Sequence, residues 1–356
     1  MKRKLIVFAG MGFVLGIAHA QTSVTIYGTV DTGFVKESGS DVRMDENAAN
    51  VIGFRGTEEL GSGLRATFQL ERQFQLPDGT NKDTYSLDDS ISRALGNRGQ
   101  TIDWTGAANV GLEGNWGAVR LGRVNEMSVE YYTEVDPFLQ GSTGSALAKY
   151  SLLRSEQLSN TIRYDSPVFS GVRFGLTYTL GADDRDRAIS RDIFNDGVGV
   201  SLGYENGPLF LTGNFSRQAD SDRSYVWNLG GAWDFDPVRL SLGYQKSSLK
   251  DLSVMNLDDI DSSVTQKTWL VGLQYKVGAG TVNASYNRAT VGGTAHNGSA
   301  SKYALGYTYD LSKRTSLYAV VSYLDSDNGY VASLNNDMGS ENTSITGVQF
   351  GMTHNF

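Results

Sequence analysis

The side chains in this sequence that can do chemistry are mainly carboxylates and arginines. The chain has no cysteine and only three histidines, so a disulfide framework and thiolate metal sites are excluded, and a histidine metal cluster is not expected. Four carboxylates fall close together between residues 126 and 136, and several arginines occupy alternate positions of extended segments. Such charges attract, repel and orient ions if they face one aqueous space. Whether they do so depends on the elements that carry them.

Those elements are short segments in which apolar and polar residues alternate. In one of them Leu64, Ala66 and Phe68 alternate with Arg65 and Thr67. A period of two predicts strands with one apolar and one polar face. Seven short turns rich in Gly, Pro, Asn, Asp or Ser alternate with longer polar connections, which predicts seven hairpins between a first and a last strand. The sixteen predicted strands are 22–35, 49–58, 64–74, 101–113, 117–123, 158–165, 171–180, 197–205, 208–217, 225–235, 237–247, 265–277, 279–290, 301–310, 313–325 and 343–356.

The last eleven residues show the clearest alternation. Val348, Phe350, Met352 and Phe356 share one face, while small and polar residues share the other. A strand needs this pattern when lipid lies on one side and water on the other. We therefore predict that this strand is paired at both edges and that Phe356 is its assembly terminus.

The first twenty residues have the features of a secretory signal peptide. A basic start is followed by a short apolar stretch and by a small-x-small cleavage site at Ala18–Ala20. Removal of residues 1–20 would change the formal charge from −8 to −11, because the segment carries three basic residues and no acid. An acidic chain of this kind argues against nucleic acid as a partner.

The fold predicted from these features is an all-β, 16-stranded antiparallel transmembrane β-barrel formed by residues 21–356 as one domain. A barrel shows lipid only every second residue, so the absence of a long apolar stretch does not argue against it. A soluble β-sandwich would also alternate. At this length, however, it would need two or three domains, and no linker is visible.

The sequence resembles the sequences of a known family, the general porins of β-proteobacteria, which are sixteen-stranded barrels that associate as trimers. The resemblance covers nearly all of residues 21–356. Besides the terminal strand, it rests on six segments in the same order, which are 24–31 (VTIYGTVD), 53–64 (GFRGTEELGSGL), 110–117 (VGLEGNWG), 120–123 (RLGR), 160–171 (NTIRYDSPVFSG) and 309–315 (YDLSKRT).

The resemblance implies an outer-membrane location, a homotrimer, and passive diffusion of ions and small hydrophilic solutes. It also implies that the third long loop folds into the barrel and narrows the pore. The candidate loop is 124–157, which breaks the alternation and is too long for an ordinary connection. Its stretch 136–141 resembles part of the family's constriction loop, so Pro137, Phe138 and Gly141 are expected to anchor the loop to the wall.

Selectivity in such a pore depends on charges that face each other across the constriction. The candidate acids on the loop are Glu126, Glu130, Glu134 and Asp136. The candidate bases comprise four arginines with lumen parity and two near the ends of the loop, namely Arg55, Arg65, Arg120 and Arg163 with Arg123 and Arg154.

The basic cluster is thinner than in many members of the family. Val51, Gly106 and Gln157 stand at or near positions where an arginine is frequent. The sequence therefore predicts a weakly selective or cation-preferring pore.

Three other functions stay open at this point. Aromatic residues of the loop (Tyr131, Tyr132 and Phe138) would suit a channel specific for a sugar or a carboxylate. A barrel enzyme is less favoured because the only histidine on a predicted strand, His354, has lipid parity. A structural or adhesive barrel would have bulkier inward residues. No cofactor or specific metal site is predicted.

Overall fold

The alternating segments pair with their neighbours in a single antiparallel sheet that closes on itself. The computed structural model describes residues 22–81, 104–150, 156–180, 196–217, 224–249, 263–293, 297–327, 334 and 344–356. The predicted signal peptide and Arg154 lie outside these residues. The described residues form seventeen strands, of which sixteen make the closed ring and one, β2, is a three-residue piece.

The strands in chain order are β1 (Thr22–Glu37), β2 (Arg43–Asp45), β3 (Val51–Gly61), β4 (Leu64–Gln73), β5 (Ala108–Gly114), β6 (Gly117–Asn125), β7 (Gln157–Asp165), β8 (Val172–Thr179), β9 (Gly197–Asn206), β10 (Leu209–Arg217), β11 (Tyr225–Asp234), β12 (Val238–Leu249), β13 (Val264–Val277), β14 (Gly280–Gly293), β15 (Gly298–Asp310), β16 (Thr315–Asp327) and β17 (Ser344–Asn355). Helix α1 (Met127–Thr133) and a 3₁₀ helix (Leu147–Tyr150) lie between β6 and β7. The predicted sixteen-stranded barrel is confirmed.

The largest difference from the predicted strands concerns β5, which was expected at 101–113 and begins at Ala108. Residues 101–103 lie outside the described residues, and just before β5 the pairing becomes irregular, because Gly106 and Ala107 both bond to the backbone of Glu71. The Thr105 hydroxyl accepts a hydrogen bond from the Gln73 amide at 2.8 Å, and the Thr105 carbonyl accepts one from Arg123. The prediction also missed β2, which pairs with the end of β1.

Closure joins the first and last strands. Gly33 of β1 lies opposite Gly351 of β17, and the other edge of β1 pairs with β3. At the short-turn end, the Gly28 amide donates to the Phe356 carbonyl at 3.2 Å and the Phe356 amide donates to the Gly28 carbonyl at 3.0 Å. The chain end is thus bonded to β1, as the terminal alternation predicted.

The outer surface of the ring is apolar and the inner surface is small and polar. On β15 and β16, Leu305 and Val321 are exposed, whereas Ala304 and Ser322 beside them are buried against interior groups. Aromatic pairs lie near both ends of the strands, for example Phe215–Tyr225 at the long-loop end and Trp233–Phe235 at the short-turn end. This distribution is typical of barrels with interfacial aromatic girdles. Within the described part of the chain, no helix is both long and apolar enough to cross a membrane.

Candidate functional site

The segment after β6 enters the barrel and packs against the inner face of the wall. We call residues 126–148 the inner loop. Glu126 caps helix α1, because its carboxylate accepts hydrogen bonds from the Val129 amide at 3.1 Å and from the Ser128 hydroxyl. Only 2% of Glu126 is exposed, and this burial raises the pKa of its carboxyl above the ordinary range.

Glycines of the wall make room for side chains of the inner loop. An added Cβ at any of these glycines would lie closer to a loop atom than real Cβ atoms come. The contacts run around the barrel from β8 to β15, so the loop follows the wall instead of crossing free space. The pairs are Gly175 with Met127, Gly230 with Val135, Gly243 with Tyr132, Gly272 with Pro137 and Gly306 with Phe138.

The loop turns back on itself around the carboxylate of Asp136. This group accepts hydrogen bonds from the amides of Phe138 (3.0 Å), Gln140 (3.1 Å) and Ala146 (2.7 Å). Asp136 is 1% exposed, and burial raises the pKa of its carboxyl. The buried Lys302 of β15 donates to the Ser145 carbonyl at 2.6 Å and so fixes the same turn to the wall.

The three residues expected to anchor the loop all make close contacts. Pro137 lies over Gly272 of β13, and the Phe138 ring packs with Ala304 and Val320. Gly141 approaches the Asn47 carbonyl so closely that no side chain fits there. These are contacts with barrel strands and with the segment after β2.

Two other carboxylates of the inner loop remain partly exposed and approach arginines. Glu130 forms an ion pair with Arg163 at 2.7 Å, and Glu134 lies 3.8 Å from Arg173. The side chains of Glu130 and Glu134 are 41% and 50% exposed. Arg239 donates to the Glu134 carbonyl at 3.4 Å. The loop thus presents acids to a row of wall arginines.

The wall supplies carboxylates of its own to Arg163 and Arg239. Asp165 of β7 pairs with Arg163 at 2.8 Å and also with Arg120. Asp234 of β11 pairs with Arg239 at 2.9 Å. Each of these guanidinium groups therefore has a carboxylate partner, which reduces the net field across the passage.

The remaining predicted charges have different surroundings. Glu126 and Asp136 are buried between loop and wall, so they do not reach the aqueous surface as the sequence suggested. Arg123 is also buried, because a β-bulge turns it toward the carbonyls of Thr105 and Gly106.

The two arginines nearest β1 also lie on the inner face. Arg55 lies over the Tyr27 ring at 4.9 Å, and Arg65 pairs with Glu113 at 2.9 Å.

Sequence reasoning missed Arg173 and Arg239 as site residues. Both directly follow the first residue of a strand and alternate with outward apolar residues, so their lumen parity was visible. What the sequence lacked was their distance to Glu134. The loop aromatics also changed status, because Tyr132 and Phe138 are 1% and 7% exposed and do not line open water.

The closed antiparallel barrel, its apolar exterior and its charged interior define a channel of the outer-membrane type. A family model described as Gram-negative porin matches residues 8–329. The chain belongs to the Gram-negative porin family.

Individual relatives agree with this membership. An outer membrane porin protein of Bordetella pertussis is 29% identical over 413 aligned residues, with 100% of both chains covered. The structure of an anion-selective porin from Comamonas acidovorans has a TM-score of 0.77 and 26% identity over 94% of this chain and all of that one. OmpT of Vibrio cholerae in its trimer form has a TM-score of 0.66 at 14% identity, over 94% of this chain and 99% of that one, which shows the fold alone.

The family places the protein in the outer membrane. Its members and this fold are channels without enzymatic function. His354, the strand histidine, lies opposite Val30 on the outward face and bonds to the Thr315 hydroxyl at 2.9 Å.

Proposed function

We propose that the protein forms a water-filled channel for passive diffusion of ions and small hydrophilic solutes, narrowed by the loop within 124–157. The observation that carries this proposal is the position of Glu130 and Glu134, which extend from the inner loop toward Arg163 and Arg173 of the wall. A loop packed on one side of a barrel reduces the open cross-section, and charges that face each other there act on every solute that passes.

The charge pairing supports weak ion selectivity. Arg163 has two carboxylate partners, and Arg120 and Arg239 each have one from the wall. Because the opposite charges lie close together, their fields largely cancel beyond about one Debye length, roughly 8–10 Å in physiological salt. An anion-selective relative such as the Comamonas acidovorans porin is the natural comparison, since anion preference requires an excess of unpaired bases.

Export and assembly complete the proposal. Residues 1–20 act as a cleaved signal peptide, and residues 21–356 form the single barrel domain with Phe356 as its assembly terminus. The protein associates as a homotrimer, as the family resemblance implies. Its partners are outer-membrane lipid and the solutes that pass.

A planar-bilayer recording of the full-length protein, exported and purified in detergent, tests the function. We expect stable conductance steps and a reversal potential close to zero in a KCl gradient. A reversal potential that clearly favours chloride would contradict weak selectivity and group this chain with the anion-selective relative. Silence in the bilayer would contradict the channel and favour a structural barrel.

The same recording separates general diffusion from a substrate-specific channel. Sugars and carboxylates added one at a time are expected to leave the conductance unchanged at millimolar concentration. Saturable block by one of them would show a specific site and contradict a general pore. The burial of Tyr132 and Phe138 supports the general reading, because these rings are not available to a sliding solute.

A further inference from the structure

A second segment of the chain also enters the barrel. Between β2 and β3, residues 46–50 leave the wall and lie over the inner face of β1. The Asn47 amide donates to the Asp31 carboxylate at 2.7 Å, and the Asp31 amide donates to the Asn50 side chain at 2.6 Å. Asp31 points inward, because the inward Tyr318 hydroxyl bonds to it at 2.9 Å. We call residues 46–50 the inner segment.

The tip of the inner loop has a strained backbone. Leu139, Gln140 and Ser142 have φ values of 50°, 57° and 55°, in the left-handed region that side chains other than glycine rarely adopt. Such conformations persist only where the surroundings impose them. Gln140, Ser142 and Thr143 are almost completely buried, so the tip is constrained by its neighbours rather than by its own preferences.

One side chain joins the tip to the inner segment. Gln349 of β17 is fully buried, and its amide oxygen accepts a hydrogen bond from the Thr143 amide at 2.9 Å. Its amide nitrogen donates to the Glu46 carbonyl at 3.1 Å. Beside this bridge, Gly141 of the tip contacts the Asn47 carbonyl with no room for a Cβ. Gln349 therefore bonds the loop tip and the inner segment at the same time.

We propose that Gln349 and Gly141 are positioning residues that set where the tip of the inner loop stands in the lumen. Without the Gln349 side-chain amide, the buried Thr143 amide and the partly buried Glu46 carbonyl lose this partner, and a buried unpaired group is costly. The strained tip then relaxes away from the wall strand β17. The width of the passage is thus fixed at a polar junction that lies apart from the Glu130 and Glu134 ion pairs.

Thiol labelling tests this proposal directly, because the chain has no cysteine of its own. Thr143→Cys places a reporter at the junction. The junction uses only the backbone amide of Thr143, and its hydroxyl has no hydrogen-bond partner among the described residues, so the replacement removes no bond. We expect slow reaction with a small water-soluble maleimide. Adding Gln349→Met, which keeps the side-chain length but removes both hydrogen bonds, is expected to raise the rate at least tenfold.

Two controls make the result specific. Gln274→Met is the matched substitution, because Gln274 is an inward glutamine that donates to Asn283 of the wall. It is expected to leave the Thr143→Cys rate unchanged. Ala289→Cys reports on a buried wall position beside Leu147, and Gln349→Met is expected to leave its rate unchanged.

Several outcomes would overturn the proposal. An unchanged Thr143→Cys rate in the Gln349→Met protein would show that the junction does not position the tip. Equal acceleration at Ala289→Cys, or equal acceleration by Gln274→Met, would show general loosening instead.

Gly141→Ala tests the same junction from the other side and serves if Gln349→Met does not fold. Its added methyl collides with the Asn47 carbonyl, so faster Thr143→Cys labelling is expected, whereas Gly292→Ala, where the nearest atom lies 3.5 Å away, is expected to have no effect. An unchanged rate with Gly141→Ala contradicts the proposal.

The inference rests on the proposed function only for one consequence, which is that the position of the loop tip sets the width of the pore. Labelling needs no conduction, so failure of the junction and failure of the channel are distinguishable.

Discussion

The buried face and the exposed face of the inner loop carry the same kind of side chain in opposite roles. Glu126 and Asp136 lie against the wall and accept hydrogen bonds from the loop's own backbone. Glu130 and Glu134 reach the lumen and approach Arg163 and Arg173. A carboxylate in this loop therefore either stabilises the loop by accepting backbone hydrogen bonds or contributes charge to the lumen. The residue type alone does not show which of the two roles it has.

Helix geometry explains why the regular spacing of the loop glutamates did not predict which of them are exposed. Glu126, Glu130 and Glu134 are four residues apart and would share one face of a continuous helix. Glu126, however, is the N-cap, with an extended backbone at φ −74° and ψ 125°, and its side chain folds back onto the first turn. A cap satisfies the free amides at a helix start, so it points along the helix and not outward with its fourth neighbour.

The largest expected effect on the inner loop comes from removing the buried carboxylate of Asp136. Asp136→Ala leaves three backbone amides without their acceptor, and Lys302 loses a nearby opposite charge. We expect the free energy of loop opening to fall by about 3 kcal/mol, since each buried unpaired donor costs roughly 1–3 kcal/mol. Hydrogen exchange of residues 136–146 in detergent measures it. The exposed Glu134→Ala is the matched control, and an equal loss of protection there would contradict the division between the two faces.

A smaller loss is expected from Glu126→Ala. Replacing an N-cap acceptor by alanine costs about 1 kcal/mol, with a range of roughly 0.5–2 kcal/mol. Hydrogen exchange of helix α1 is expected to increase about fivefold, which corresponds to that energy. Glu130→Ala, in the first turn of the same helix, is expected to change exchange much less. A larger effect at Glu130 than at Glu126 would reverse our assignment.

The two exposed carboxylates, Glu130 and Glu134, can be tested by their effect on ion selectivity. Glu134→Gln removes the carboxylate that lies 3.8 Å from Arg173 and leaves the contact with the Tyr131 ring at 4.5 Å. After Glu130→Gln, Arg163 still has Asp165. One unit charge changes the energy of an ion passing at about 4 Å in water by about 1 kcal/mol. We therefore expect Glu134→Gln to shift the anion-to-cation permeability ratio up to roughly fivefold toward anions, and Glu130→Gln to shift it less.

Reversal potentials in low-salt KCl gradients measure these shifts. Arg173→Gln is the opposite variant and should move the ratio toward cations. If both acid variants leave the reversal potential unchanged, the exposed face of the loop does not set the field in the passage.

The smallest expected effect is that of pH on the buried face. Burial raises the pKa of Glu126 and Asp136 in the closed loop. A carboxyl with a higher pKa in the closed loop than in the open one binds its proton more tightly when closed. Loop opening should therefore become slightly harder as the pH falls through these raised values toward the ordinary range near about 4. Hydrogen exchange at pH 8 and pH 5, corrected for intrinsic rates, tests this, and weaker protection at pH 5 would contradict it.

Features of the site that depend on neighbouring residues were predictable from the sequence, and features that depend on contacts between distant residues were not. The anchoring role of Pro137, Phe138 and Gly141 was suggested by a local motif, and their contacts with Gly272, Gly306 and Asn47 fit it. The arginines Arg173 and Arg239 had the right parity but no local mark, because their importance comes from a loop more than thirty residues away. The sequence does not indicate that residues 46–50 turn into the barrel, since five polar and small residues after a strand also fit a surface loop.

The sequence by itself determined the barrel, because alternation of apolar and polar side chains is a property of neighbouring residues and is written directly in their order. It likewise determined the short turns and the closing strand. Only the tertiary structure decided which acids are buried, which arginines they meet and where the loop tip stands. These depend on contacts between residues far apart, such as Gln349 and Thr143, which are 206 positions from each other. Burial and pairing are properties of the closed ring, and no short segment contains them.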